Sequence, residues 1–380
     1  MNNYSIMMLG PSGSGKTVFL SSLYKKLSTQ SELGFFLQVD TGEKRKRLNN
    51  IYTQVAADEK WPPGTRYSEV SEWTFTCRVQ NPSNLSIYDA CRFTYLDYAG
   101  NRINEELVEE DVGTEFEDKF NEADALLGLL DGQKICALLR KEKIGMVWAV
   151  NDLRNMIDVM QGSRKPVHFL ISKWDIVEQQ YTLEQIRDRL LEIDEFKNLV
   201  KLRNQAGSPV RIIPVSAVGK GFAIAKPDGS MEKTGEFPKP FQVEVPLACI
   251  LPDMIQVMME ELIRKRKSEL ETSIEVKPDI GFVDFLGQLF AGGLKAVQEI
   301  LPRKYQFAGN SLEILIEWAE TPAQQKINFA AKRTEELRRE QIESLKEVAD
   351  EETALAHAIN CFVSIQNQLI YRFPASELRI

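Results

Sequence analysis

Residues 10–17 read Gly10-Pro11-Ser12-Gly13-Ser14-Gly15-Lys16-Thr17, a complete G-x-x-x-x-G-K-[ST] run. Residues of these types at this spacing bind a polyphosphate with Mg²⁺. The three glycines let the backbone wrap until several N–H groups converge on phosphate oxygens. The helix expected to begin near Lys16 adds its positive end, Lys16 reaches the β and γ phosphates, and the Thr17 hydroxyl is a Mg²⁺ ligand. The flanks agree: Tyr4–Leu9 reads as a short buried strand, and Val18–Leu27 as an amphipathic helix. Gly10, Pro11, Ser12, Gly13, Ser14, Gly15, Lys16, Thr17 and Val18 are the expected phosphate-side contacts.

Three later stretches extend the site. In Arg92-Phe-Thr-Tyr-Leu-Asp97-Tyr-Ala-Gly100 an apolar strand ends in Asp97, placed to hold the Mg²⁺ water shell, with the Gly100 N–H available to a γ-phosphate. In Pro166-Val-His-Phe-Leu-Ile-Ser172-Lys173-Trp-Asp175 a strand again ends in polar residues. A carboxylate there accepts the paired N1–H and exocyclic N–H donors of guanine. Adenine offers an acceptor at that edge and leaves the carboxylate unpaired. The Lys173 stem lies along the base face. Val210-Arg-Ile-Ile-Pro-Val-Ser216-Ala217 delivers a loop whose backbone N–H donates to guanine O6.

In order and spacing, GPSGSGKT, DYAG, SKWD and SAV resemble the motif series of the translation-factor-related (Ras-like) P-loop GTPases, over about residues 1–270. The resemblance implies GTP/GDP and Mg²⁺ as ligands. Gly10–Thr17 then bind phosphates and metal, Asp97 and Gly100 open switch II, Ser172, Lys173 and Asp175 read guanine, and Ser216–Ala217 close the base pocket. Two departures matter. Ser172 stands where the family has Asn or Thr; it keeps a hydroxyl contact to the phosphate loop but loses two-sided bonding. Asn101 stands where efficient members carry a Gln that orients the attacking water. One methylene shorter, it implies slow intrinsic hydrolysis unless another group substitutes, with Arg66 and Arg102 as cis candidates against a reading as solvated arginines. Thr65, in Trp61-Pro-Pro-Gly-Thr65, is the candidate switch I and Mg²⁺ threonine, against an ordinary loop residue. With the polar insert Gly219–Val245, the Trp-Pro-Pro-Gly-Thr stretch also resembles the bacterial double-GTPase proteins found near defence and signalling genes.

These motifs require a doubly wound, mainly parallel α/β sheet with the ligand outside the strands' carboxyl ends. The expected order is strand 4–9, helix 16–29, insert 31–66, an antiparallel hairpin at one edge (70–80 and 88–97), and strand 124–131. Then follow helix 144–161, strand 167–172, helix 182–198, strand 210–215, insert 219–245 and a closing helix 252–270 with Pro252 in its first turn. Residues 271–380 are expected to form a helical domain. Phe282, Phe285, Leu286, Leu289, Phe290, Leu294, Val297 and Leu301 make one apolar face there, read as core or as a partner or membrane element. Ser311–Ala319 and about 322–372 read as further helices, the latter long, charged and patterned as a packed helix or a helical hairpin.

Composition narrows the partners. At 380 residues and net charge −8, with 43% hydrophobic residues, the chain reads as a globular protein for which nucleic acid is not the expected partner. Lys44-Arg-Lys-Arg47 reads as a solvated helix face or an anion contact. Five scattered cysteines and two histidines argue against a Cys/His metal site or a His-based triad. With no leader or membrane span in view, a cytoplasmic location is expected. The expected activity is a GTP-hydrolysing switch acting on an effector or regulatory protein through its switch regions and C-terminal helices, with a homodimer as one arrangement. The alternatives left open are a GTP-dependent scaffold that scarcely hydrolyses, and an ATPase.

Overall fold

A computed structural model describes residues 1–62, 71–97, 110–226, 230–269, 293–305, 312, 315–316 and 336–380. Its centre is a seven-stranded sheet built from β1 (Asn3–Leu9), β2 (Phe36–Val39), β3 (Ser71–Gln80), β4 (Ile87–Asp97), β5 (Ala125–Asp131), β6 (Val167–Ser172) and β7 (Val210–Pro214). The order is β2-β3-β4-β1-β5-β6-β7. From β4 to β7 the strands are parallel, and β2–β3–β4 are antiparallel. The parallel strands read as continuous apolar runs because both faces are covered. On β1, Tyr4, Ile6 and Met8 enter one core, whereas Met7 and Leu9 enter the other.

The helices are α1 (Lys16–Leu27), α2 (Gly42–Ala57), α3 (Glu110–Glu122), α4 (Gly132–Leu139), α5 (Lys143–Trp148), α6 (Arg154–Gln161), α7 (Trp174–Val177), α8 (Leu183–Leu191), α9 (Asp194–Gln205), α10 (Val245–Glu269), α11 (Gly293–Ile300), α12 (residues 336–347) and α13 (Glu351–Arg372). Several depart from expectation. The insert at 31–66 holds β2 and α2, so the expected hairpin is not the sheet's edge; β2 lies outside it. The helix expected at 144–161 runs through a π turn at Ala149–Leu153. The one expected at 182–198 is two helices, α8 and α9. The closing helix starts at Val245, which puts Pro246 in its first turn and leaves Pro252 in the interior.

The long C-terminal helix is interrupted at 348–350. There Asp350 accepts from the Thr353 N–H and Thr353 reaches back, a reciprocal capping box that starts α13 afresh. The Asn81 amide, between β3 and β4, donates to the Val348 carbonyl at 2.8 Å and pins the break to the sheet. Phe362 of α13 packs edge-on against Phe35 and Phe93 at 5.2 and 5.9 Å. Ala358, Ile359, Cys361, Phe362 and Ile365 are buried with residues of β1, β3 and β4, so one core runs across position 270. Val297 and Leu301 join the same core; Phe282, Phe285, Leu286, Leu289 and Phe290 lie outside the described residues. The tail returns to β7, where the Leu378 N–H donates to the Val210 carbonyl and Glu377 bridges Arg211. No helix among the described residues is long and apolar enough to cross a membrane.

Candidate nucleotide site

The phosphate loop joins β1 to α1 at the carboxyl edge of the sheet. Gly15, the residue before α1, has φ 97°, a left-handed conformation in which any side chain is strained. At Gly10 the demand is space, because a Cβ would come within 3.1 Å of the Leu129 carbonyl of β5. Lys16 is 7% exposed, and its Nζ donates to the Gly10 carbonyl at 2.7 Å and the Pro11 carbonyl at 3.4 Å. Burial lowers its pKa, and the Asp97 charge opposes that. The lysine is thus folded back over its own loop, a cation held in a poorly solvated place. The Ser14 hydroxyl is buried with no hydrogen-bond partner among the described residues. A buried donor left over inside a ring of backbone N–H groups suits a phosphate oxygen.

Asp97 ends β4 fully buried, and the Thr17 hydroxyl donates to its Oδ2 at 3.2 Å. A hydroxyl and a carboxylate at this spacing, beside a phosphate loop, are the hard oxygen donors that Mg²⁺ takes. The donor set therefore fits the metal that the sequence implies. Thr65, Gly100 and Asn101, with Arg66 and Arg102, lie outside the described residues.

The base end is built by β6 and β7. Lys173 follows β6 with φ 55°, and this left-handed turn starts α7 so that Asp175 points back into the crevice. Asp175 is 4% exposed. The Ser216 hydroxyl donates to its Oδ1 at 2.5 Å and itself accepts from the Gly219 N–H at 2.8 Å. Burial pushes the Asp175 pKa up, against the Ser216 hydrogen bond. Lys173 Nζ pairs with Asp131 at 2.8 Å and donates to Gln133 Oε1 at 3.0 Å, which sets its stem beside the pocket. The Ser172 hydroxyl differs from expectation: it donates to the Leu130 carbonyl at 3.1 Å, at the end of β5, rather than to the phosphate loop.

One cavity of about 480 Å³ joins these parts. It is lined by Ser12–Val18 on one side and by Ser172, Lys173, Asp175, Ser216 and Ala217 on the other. Sequence reasoning missed Trp61, Gln133 and Met231, which also line it. Gln133 carries a readable signal, since it opens the helix after β5, where Asp131 caps its N–H. Trp61 and Met231 carry none, because they meet only in the fold.

No protein-family model and no curated protein match the sequence. Solved structures similar to the chain include an Aquifex aeolicus Era variant bound to GDP·AlF4⁻ (15% identity, 57% of this chain and 52% of that chain, TM-score 0.27). Translation elongation factor SelB from Methanococcus maripaludis, in complex with the GTP analogue GppNHp, is 14% identical over 57% of this chain and 30% of its own, with TM-score 0.28. The G domain of T. maritima FeoB is 13% identical over 58% of this chain and 91% of its own, with TM-score 0.26. The chain spans about half of the Era chain and under a third of SelB.

Proposed function

We propose that this chain, a P-loop protein with the α/β fold of the translation-factor-related GTPases, binds GTP and GDP and hydrolyses GTP slowly as a molecular switch. The observation that carries the reading is Asp175: a buried carboxylate in the same cavity as the phosphate loop, bonded to a neutral hydroxyl rather than a cation. Guanine supplies the two N–H donors that such a group lacks, and adenine does not. Backbone N–H groups of Gly13–Lys16, the Ser14 hydroxyl and Lys16 hold the phosphates, and Lys16 moves from its loop carbonyls to phosphate oxygens.

Thr17 and Asp97 would hold Mg²⁺, which supplies charge neutralisation at the β and γ phosphates. Thr65 is the proposed further ligand, and the Gly100 N–H the proposed γ-phosphate contact. Asn101 is proposed as the reason for slow turnover, because its short amide reaches an attacking water poorly. The same residue favours the second reading, a GTP-dependent scaffold that scarcely hydrolyses. The C-terminal helices are the proposed route by which nucleotide state reaches an effector or regulatory protein.

Nucleotide competition on the full chain tests the reading: GTP and GDP displace a fluorescent guanine nucleotide, and ATP at the same concentration does not. Equal displacement by ATP overturns the guanine assignment. Lys16→Ala removes turnover, and wild-type turnover in that variant refutes the phosphate-loop role. Single-turnover phosphate release separates a slow GTPase from a scaffold.

A further inference from the structure

The two insertions meet at the mouth of the cavity. In the second, β8 (Ala223–Ala225) and β9 (Met231–Lys233) pair antiparallel. Trp61, from the first, donates its indole N–H to the Met231 carbonyl at 2.9 Å and stands edge-on to Phe222 at 6.0 Å. Val55, Val218, Phe222 and Ala223 form a small core of their own, on which Val18, Trp61 and Met231 pack. Lys233 closes the arrangement. Its Nζ donates to the carbonyls of Gln54 at 2.8 Å, Asp58 at 2.6 Å and Lys60 at 3.3 Å, and lies 5.0 Å from the centre of the Trp61 ring. It therefore ties the end of α2, where the Gln54 carbonyl also accepts the Asp58 N–H, to the chain just beyond it, and covers the indole in the same stroke.

This assembly is part of the nucleotide cavity. Trp61, Ser230 and Met231 line it together with the phosphate loop and Asp175. It is also connected to the base-reading residues: Gln133 Nε2 lies 3.4 Å from the Met231 sulfur, and Gln133 Oε1 accepts from Lys173. Four buried side chains are little to hold a wall in place, so its opening depends on the contacts that bind one insertion to the other. The sheet and α1 bound the other sides of the cavity and belong to the main core.

Building on the guanine-nucleotide reading above, we propose that Trp61 and Lys233 latch the two insertions into an outer wall of the nucleotide site and thereby set how fast bound nucleotide leaves. Lys233 is a positioning residue: it acts through Trp61 and the end of α2. Release requires that one wall yield, and among the described residues this is the wall with the smallest core. Loss of the latch raises the dissociation rate constant far more than the association rate constant.

The test is stopped-flow release of a fluorescent (mant) GDP from the full chain into excess GDP. Lys233→Met keeps the aliphatic stem and loses the cation; Trp61→Ala loses the ring and its N–H. Both variants release nucleotide about tenfold faster than wild type. Lys233→Arg and Trp61→Phe stay within about twofold, because a cationic donor or a ring remains. The nucleotide-free melting temperature of Lys233→Met stays that of wild type. Wild-type release in both Lys233→Met and Trp61→Ala overturns the proposal, as does a fall in nucleotide-free melting temperature that accounts for the faster release and that Lys233→Arg fails to rescue. A wild-type chain that binds no mant-GDP overturns the guanine reading and this proposal with it, an outcome distinct from binding with unaltered release.

Discussion

Asp175 and Asp253 are both buried carboxylates attached to the frame of β6 and β7, and their surroundings drive them in opposite directions. Asp175 lies just beyond β6, where burial raises its pKa and its hydroxyl partner Ser216 offsets that only in part. Asp253, on α10 against the same strands, is 1% exposed. Burial pushes its pKa up, but the Arg211 guanidinium pulls harder, helped by the bonds from Arg211 and His168, and holds it well below the usual carboxylate range. Arg211 donates twice at 2.6 Å, His168 lies at 2.8 Å and the Gln366 amide at 2.9 Å. His168 and Arg211 are paired neighbours, each the second residue of its strand. The carboxyl end of β6 thus leads to an acid short of donors, and the amino-terminal parts of β6 and β7 face an acid saturated with them. A carboxylate short of donors is disposed to take them from a ligand; a saturated one ties elements together.

The largest expected effect probes the saturated member. Asp253→Asn removes the nearer of Arg211's two acidic partners, leaving Glu377 at 3.5 Å, and should cost about 3 kcal/mol of unfolding free energy, read by urea denaturation. A loss under about 1 kcal/mol would place Asp253 among ordinary surface acids and break the contrast. Next comes His357, a third buried titratable group, whose Nε2 faces the Gly34 carbonyl at 3.1 Å and whose Nδ1 faces the Ser344 hydroxyl at 2.8 Å. Burial lowers its pKa to about 4. The unfolded chain therefore binds a proton below about pH 6.5 that the folded chain refuses, and stability falls by about 3 kcal/mol as pH drops from 6.5 to 4. His357→Gln should flatten that part of the pH profile, with no change of slope above pH 7.

The ligand-reading member comes next. Asp175→Asn should weaken GDP binding by about 10- to 100-fold and admit xanthine nucleotides, whose base presents an acceptor to the new amide, as competition binding would report. The smallest effect sharpens the comparison most. Because burial disfavours the charged form of Asp175, Asp175→Asn should change nucleotide-free stability at neutral pH by less than about 1 kcal/mol, in the stabilising direction. Destabilisation of the size expected for Asp253→Asn would erase the distinction between the two acids.

How much of this was legible follows from sequence distance. The phosphate loop, its strand and its helix are contiguous, and the backbone demand at Gly15 is local; Thr17 meets Asp97 from 80 residues away, but each stands in a motif of its own. SKWD and SA were legible for the same reason. The strand Phe36–Val39 was not, because four residues are too few for alternation to stand out; pairing with β3 makes the strand. Pro252 was misplaced because Pro246 offers a better first turn and a buried helix tolerates the second proline. The break at 348–350 had a signal, Asp350 three residues before Thr353, hidden in a run of helix formers. Trp61, Met231 and Lys233 were beyond reach, being about 170 residues apart in sequence and joined by backbone carbonyls, which carry no side-chain signature.

The return of Glu377 and Leu378 to β7 has a consequence for assembly. An uncovered outer strand is a rail on which a foreign strand can hydrogen-bond, and sheets with long bare rails stick to one another. Here the rail beyond β7 is occupied by the chain's own tail, and the opposite one, β2, is only four residues long. Sheet extension from molecule to molecule is blocked at one end and short-lived at the other. A strand arriving from another molecule has to displace Glu377 and Leu378, and removing residues 377–380 would uncover the β7 rail for it.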